Sequence, residues 1–258
     1  METDSIRYIN FLWFLVFLVP LGYLNYRFKI KINKRMIRAI LRMAVQLSLV
    51  GLFLQYVFQL DNGLINLGYV LLMMTVASFS VMKSCGKQHP RFLPLILLSF
   101  AVPNLVMLLF FNTFIADLDS VLSARHTVPV AGMLLGNSLN SIIVAVNHFY
   151  STMKDNQKEY LTMLSLSGSR VEALRPYFRQ ALMTALNPTV ASIETMGLVA
   201  LPGMMTGQIL GGALPLTAIK YQIAIMLAIL VVRYFAAILT ILLTALKSFD
   251  EFDIPVTA

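Results

Sequence analysis

Two ionisable side chains, Glu194 and Arg233, lie deep inside long apolar stretches of the sequence. In the centre of a lipid bilayer such a charge costs roughly 2.5–3.5 kcal/mol unless it is paired or hydrated. Because the two stretches follow each other along the chain, Glu194 and Arg233 can form an ion pair between neighbouring helices. Two alternatives stay open for Glu194: a hydrated carboxylate on a substrate path, or a position facing the cytoplasm if the boundaries of its stretch are misplaced.

A second group of polar side chains shares one face of a single predicted helix. Basic and amide residues recur there at three- and four-residue spacing, at Arg35, Arg38, Arg42 and Gln46. Arg42 can either extend its guanidinium to the lipid headgroups or line a substrate path. Gln46 lies one turn deeper, which favours a substrate path or a hydrogen bond between helices. Asn137, with Asn140 three residues later, allows the same two roles.

Methionine and amide side chains cluster in a further candidate segment, at Met204, Met205 and Gln208. Thioethers suit soft metal ions, but methionines in an apolar chain also serve as adaptable packing. No histidine, cysteine and carboxylate cluster has metal-site spacing, and no phosphate-binding loop or nucleophile elbow occurs. We therefore predict no catalytic residue, no metal site and no cofactor bound by this chain.

The composition identifies the environment of these residues. Of the 258 residues, 58% are hydrophobic and 12% are charged, whereas soluble proteins have about 45–50% and about 25%. The net charge of +8 would suggest nucleic acid as a partner, but the basic residues concentrate in alternate short loops, as they do in membrane proteins. The sequence predicts an integral membrane protein in contact with the lipid bilayer, with no nucleic-acid partner.

The apolar stretches predict an all-α fold with about seven transmembrane helices. Their ranges are 8–25, 37–60, 64–82, 92–111, 128–149, 181–201 and 218–246. An N-terminus outside and a cytoplasmic C-terminus place fifteen basic residues in cytoplasmic segments and three in outer ones, as expected if Lys and Arg stay inside. We treat residues 1–258 as a single transmembrane domain.

Two segments interrupt this pattern. Residues 202–217 contain glycines and prolines but no charge, so we expect the sixth helix to stop or kink at Pro202 and the segment to turn back against the bundle. Thr206 and Gln208 are predicted to satisfy the freed backbone groups. As an outer gate the segment would rearrange during transport, and as a plug it would stay fixed.

The cytoplasmic loop 150–180 predicts two short helices. Gln157–Ser167 is expected to end at Gly168, and Ser169 with Glu172 fits a capping box for the next helix. Leu161 and Leu164 give the first helix an apolar side beside Glu159. This side can pack against the protein's own helices or dock into the groove of another protein.

Four sequence runs carry a resemblance to a known family. They are LRMAVQL at 41–47, PVAGMLLGN at 129–137, GLVALPGMMTGQIL at 197–210 and AIKYQI at 218–223. Together they resemble the permease family of the bacterial iron exporter FetB, which also includes plant aluminium-tolerance permeases. One departure is Leu166-Ser167-Gly168, where the family usually has Leu-Gly-Ala.

The resemblance implies the membrane subunit of an ABC-type exporter, with iron or a related metal species as substrate. ATP would then be used by a separate ATP-binding subunit that docks on residues 155–175, and the complex would hold two permeases with two ATPases in the bacterial cytoplasmic membrane. Two alternatives remain: an ion-coupled secondary transporter with Glu194 as coupling carboxylate, and an ABC permease for a non-metal substrate such as a nucleotide-sugar.

Overall fold

A computed structural model describes residues 8–86, 92–118 and 120–249. Within these ranges a short 3-10 helix, Tyr8–Phe14, precedes nine α-helices, and a π-helical turn, Phe111–Ile115, extends the fourth of them. In chain order the helices are α1 Leu15–Arg27, α2 Asn33–Leu60, α3 Gly63–Ser84, α4 Leu93–Phe110, α5 Ala124–Asp155, α6 Gln157–Ser167, α7 Arg170–Thr195, α8 Gly203–Leu210 and α9 Pro215–Ala245. The part of the chain that the structure describes contains no β-strand, so the all-α prediction is confirmed.

The chain divides into two compact units, and the first comprises residues up to Leu60 together with 210–212. Its helices α1 and α2 are joined through Asn33, whose Nδ2 donates to the Gly22 carbonyl at 3.1 Å and whose Oδ1 accepts from Asn25 at 2.9 Å. Most side chains of α1 and α2 are exposed and apolar, as is typical of helices that face lipid.

The second unit, residues 61–209 and 213–249 of the described chain, is built around α5. This helix packs against α3, α4, α7 and α9, and its buried side chains include Leu134, Ile142 and Phe149. Buried hydrogen bonds join the helices at two levels: Ser99 of α4 with Thr240 of α9 at 2.8 Å, and Asn104 of α4 with Ser138 of α5 at 3.1 Å. In lipid such bonds hold helices together where burial of apolar surface gives little driving force.

Helix α7 runs antiparallel to α9 along its whole length. Three contacts fix this register: the Arg170 guanidinium over the Phe249 ring at 5.3 Å, Arg233 Nη2 to the Ala185 carbonyl at 3.3 Å, and Gln222 Nε2 to Met196 Sδ at 4.0 Å. At 1.5 Å per residue the 26 residues of α7 extend about 39 Å. We refer to the two ends of this unit as the α6 end and the α8 end.

Six helices within the described residues are long and apolar enough to cross a membrane: Ile9–Arg27, Asn33–Leu60, Gly63–Ser84, Leu93–Ile115, Ala124–Asp155 and Pro215–Ala245. They correspond to six of the seven predicted spans. The predicted span 181–201 is not among them, because α7 carries polar and charged side chains along its exposed side. Its bounds also differ, since the helix begins at Arg170 and ends at Thr195.

The predicted break in the sixth span is confirmed, but it begins before Pro202. Helix α7 stops at Thr195, and Gly197 adopts a φ of +85° that a right-handed helix excludes. The chain then turns, forms α8, and turns again at Gly212, whose φ is +94°. Thr206 Oγ1 donates to the Pro202 carbonyl at 3.0 Å, as predicted. The side-chain Oε1 of Gln208 has no hydrogen-bond partner, so its predicted role is wrong; the Gln208 backbone carbonyl accepts from Ala213 instead.

Candidate functional site

Helix α8 closes one side of a cavity of about 560 Å³ at the α8 end. The cavity brings together two of the predicted path residues, Met204 and Gln208, with Met133 of α5. Other lining residues are Asn112, Arg125, His126 and Tyr221. Two buried amide oxygens on these walls, Asn112 Oδ1 and Gln208 Oε1, have no partner. A buried acceptor without a donor is costly, so this cavity can accept a hydrogen-bond donor or a hydrated solute.

The remaining predicted path residues are not among those that line this cavity. Met205 is half-buried in α8, and Asn137 donates its Nδ2 to the Met133 carbonyl of its own helix at 2.8 Å. Arg42 and Gln46 lie in the first unit, where both are exposed on α2. The interhelical amide bond that Asn137 and Asn140 were expected to make is instead made by Asn104 with Ser138.

The predicted ion pair between Glu194 and Arg233 is not formed. Arg233 donates to the carbonyl of Ala185, nine residues before Glu194, and nine helical residues span about 13 Å. Its Nε is buried without a partner. Glu194 is exposed in the last turn of α7. The antiparallel register explains the difference, because it places Met196 beside Gln222 and Ala185 beside Arg233.

A carboxylate holds the turns at the α8 end. Asp61 accepts hydrogen bonds from the Ala124 backbone N–H at 2.6 Å, from Ser123 Oγ at 3.2 Å and from Asn66 Nδ2 at 3.3 Å. The Asp61 side chain thereby supplies the cap at the first turn of α5, where Ser123 makes no side-chain cap. Chiefly through the Ala124 N–H bond, this network lowers the pKa of Asp61 below its ordinary value.

The hairpin of α6 and α7 forms the α6 end, and the predicted bounds of its first helix, Gln157–Ser167, are confirmed. The second helix is not short as predicted, because it continues without a break as the 26 residues of α7. Gly168 ends α6 in the left-handed conformation, with a φ of +63°. The capping box predicted for Ser169 and Glu172 is wrong, because the Ser169 hydroxyl makes no cap. The backbone N–H of Ser169, which the Glu172 carboxylate would have to accept, is donated to Ser167 Oγ at 3.3 Å.

The apolar side of α6 faces the protein's own core. Tyr160 is fully buried and packs edge-on against Tyr177 of α7, with ring centroids 6.4 Å apart. Leu161 and Leu164 are half-buried against the same core. The apolar side chains that remain available at the tip are Leu166, which is 83% exposed, and Val171, which is 77% exposed. The acidic Glu159 and Glu172 are exposed beside them.

Several of these residues give no distinctive signal in the sequence. In the sequence, Tyr160 and Val171 are an ordinary aromatic residue and an ordinary β-branched residue of a loop. Only the packing of the α6–α7 hairpin shows that Tyr160 is buried and Val171 is exposed. Asn112 and Asn104 lie in an apolar stretch, where a single amide is a visible signal of a buried hydrogen bond. Within the described ranges, no group of three or more His, Cys, Asp or Glu side chains could hold a metal ion.

Long apolar helices around a hydrogen-bonded core define a multi-pass membrane protein. The chain belongs to the family described as Uncharacterised protein family UPF0014, whose model matches residues 8–249. This assignment confirms the resemblance seen in the sequence runs.

Three relatives illustrate the family. UPF0014 membrane protein YjkA of Bacillus subtilis is 32% identical, over 84% of this chain and 86% of its own. Protein ALUMINUM SENSITIVE 3 of Arabidopsis thaliana is 32% identical, over 79% of this chain and 73% of its own. The probable iron export permease protein FetB of Escherichia coli is 28% identical, over 88% and 86%. The bacterial relatives agree with the predicted location in the bacterial cytoplasmic membrane. No solved structure matches the chain.

Proposed function

We propose that this protein is the membrane-spanning subunit of an ATP-driven exporter of iron or a related metal species. A separate ATP-binding subunit supplies the energy, and this chain itself binds no ATP and catalyses no reaction. The observation that carries the proposal is the α6–α7 hairpin, which exposes apolar side chains at its tip while its base is buried in the core. The iron-export name of one relative supports the substrate.

The proposed topology has seven crossings, with the N-terminus outside and the C-terminus in the cytoplasm. In this topology α7 is the sixth crossing, although its polar side chains lower its hydropathy. It runs alongside α9 between the same two ends of the unit. The basic residues of the loops then lie inside, including Arg170, Arg175 and Lys247 at the α6 end. The α8 cavity opens on the outer side.

The hairpin suits a mechanical coupling role. Its buried Tyr160 contacts Tyr177 of α7 and lies 6.1 Å, between ring centroids, from Phe249 beyond α9. A close-packed contact of this kind transmits displacement rather than absorbing it. Movement of the ATPase against Leu166 and Val171 would therefore tilt α7 and α9 together. Two permeases with two ATPases complete the proposed assembly, and the path between the permeases switches from inward to outward exposure.

The hairpin tip provides the test. We expect Leu166→Asp and Val171→Asp to abolish co-purification of the ATPase, because a carboxylate buried in an apolar groove costs several kcal/mol without a partner. Ser151→Asp, at another exposed residue near the end of α5, serves as the control and should retain the ATPase. Leu161→Asp and Leu164→Asp should instead lower the yield of folded permease, since both side chains pack on the core. Full retention of the ATPase by both tip variants would refute the docking site.

A further inference from the structure

The exposed sides of α7 and α9 differ in kind, although the two helices cover the same depth. On α9 the exposed positions carry large apolar side chains, among them Ile219, Ile223, Leu227, Val231 and Phe235. Between residues 172 and 195, all of which the structure describes, the large exposed apolar side chains of α7 are only Met183 and Val190. Lipid therefore suits the exposed side of α9 and does not suit that of α7.

The same exposed side of α7 carries polar side chains, which we call the polar face of α7, with Met183 and Val190 lying among them. Its polar members recur at spacings that keep them on one side of a helix: Glu172, Arg175, Arg179, Gln180, Asn187 and Glu194. In the half nearer the α6 end, this polar face of α7 borders a groove of about 1040 Å³ that Tyr234 of α9 also lines. The groove is large enough for many water molecules or for a small organic anion.

Gln180 and Asn187 are the polar groove residues furthest from the cytoplasmic α6 end, and amide side chains at membrane depth need water or polar protein around them. We propose that the polar face of α7 lines a water-filled transport path and that this path takes an anionic solute. The inference rests on the proposed function, in which a second permease closes the path on its open side.

The order of charges along the face gives the substrate class. In the proposed topology Arg175 and Arg179 lie at the cytoplasmic mouth of the groove, near the α6 end, with the single carboxylate Glu172 one turn away. The middle is neutral, and Glu194 lies near the α8 end. The arginines attract an anion and repel a bare metal cation, and a second copy doubles both charges. An anionic metal chelate and a nucleotide-sugar share the required negative charge.

Cysteine labelling tests whether the polar face of α7 is exposed to water. In a Cys85→Ser background we would introduce Met183→Cys, Asn187→Cys or Ala191→Cys on α7, with Ile223→Cys, Leu227→Cys and Val231→Cys on α9 as controls. A charged, membrane-impermeant thiol reagent reacts only with hydrated thiolates. We expect the α7 positions to react many times faster than the α9 positions. Equally slow labelling on both helices would overturn the water-filled path.

A charge reversal tests the substrate class. In the purified complex we would measure ATPase stimulation by ferric citrate, UDP-glucose and free Fe²⁺. Arg179→Glu should weaken the apparent affinity for the active anion about tenfold or more, which is about 1.4 kcal/mol, while Arg179→Lys retains most of it. Lys247→Glu, a reversal at an exposed residue away from the groove, should leave the affinity unchanged.

The stimulating probe distinguishes the two anion sources. Stimulation by ferric citrate alone would assign a metal chelate, and stimulation by UDP-glucose alone would assign a sugar nucleotide. Stimulation by free Fe²⁺ that Arg179→Glu leaves unchanged or strengthens would overturn the anion assignment. Failure of the permease to bind any ATPase would instead refute the proposed function, whereas the labelling pattern of α7 does not depend on that partner.

Discussion

At the scale of single residues, Asp61 offers the clearest electrostatic prediction. Its pKa is lowered in the folded protein, so the stabilisation is complete above the pKa of the unfolded chain. It is lost as pH falls through the lower, folded value. We expect the melting temperature to drop on acidification toward pH 3, in part through this carboxylate. Asp61→Asn should be less stable at neutral pH and lose part of that dependence, because a neutral amide accepts the Ala124 N–H more weakly.

Asparagine is the matched replacement at this position. Asp61 has a φ of +33°, which asparagine tolerates better than most residues, so backbone strain does not obscure the charge effect. Melting curves of both proteins across pH provide the measurement. An unchanged pH dependence in Asp61→Asn would show that the carboxylate contributes nothing to folding.

Glu194 and Arg233 provide a second residue-scale prediction. Since the structure separates them by about nine residues of helix, the effects of Glu194→Gln and Arg233→Met on the free energy of unfolding should add within about 0.5 kcal/mol. Arg233→Met alone should destabilise, because it removes the hydrogen bond to the Ala185 carbonyl. A double-mutant cycle with a coupling energy well above about 1 kcal/mol would restore the ion pair that the sequence suggested.

The sequence could predict that these two charged residues lie at unusual depth, but not which residues they contact. Their depth follows from the apolar stretches around them. Their partners depend on the register of α7 against α9, which no local pattern encodes. The same holds for Asn104 and Ser138, whose hydrogen bond depends on how α4 and α5 pack. Hence the candidate residues could be found from sequence, while their pairing could not.

At the scale of secondary-structure elements, α8 can be tested for the two roles predicted for residues 202–217, a gate that moves during transport or a plug that stays fixed. Thr206→Cys and Gln208→Cys place thiols on the half-buried side of this helix. A moving gate predicts labelling from outside that changes when the complex is trapped with ATP. A fixed plug predicts the same labelling in every nucleotide state. We expect the gate pattern, because α8 lies between two glycines with positive φ, Gly197 and Gly212, that allow it to hinge.

The helix boundaries show which structural features local sequence can predict and which it cannot. The end of α6 at Gly168 was predictable, since the left-handed conformation there favours glycine. The end of α7 was misjudged because Pro202 is a stronger visible signal than Gly197, whose φ of +85° ends the regular turn first. The failed capping box at Ser169 depends on the competing Ser167 hydroxyl, a contact that pattern alone does not reveal.

At the scale of the whole molecule, composition predicted a membrane protein and the long apolar stretches predicted an all-helical one, and six apolar helices within the described residues agree with both. Hydropathy identifies α7 less well than any other predicted span. The polar face that gives α7 its proposed role also lowers its hydropathy below that of a typical membrane-spanning helix. A path-lining helix is thus the element that sequence reasoning based on apolarity identifies least well.

ATP-driven export can be measured as iron transport into inside-out vesicles that contain the permease and its ATPase. We expect accumulation of ferric citrate that requires ATP and is lost in Leu166→Asp, with the same permease content in both vesicle preparations. Dissipating the proton gradient should leave this accumulation unchanged. Accumulation without ATP that disappears with the proton gradient would rule out ATP-driven export and identify an ion-coupled secondary transporter instead.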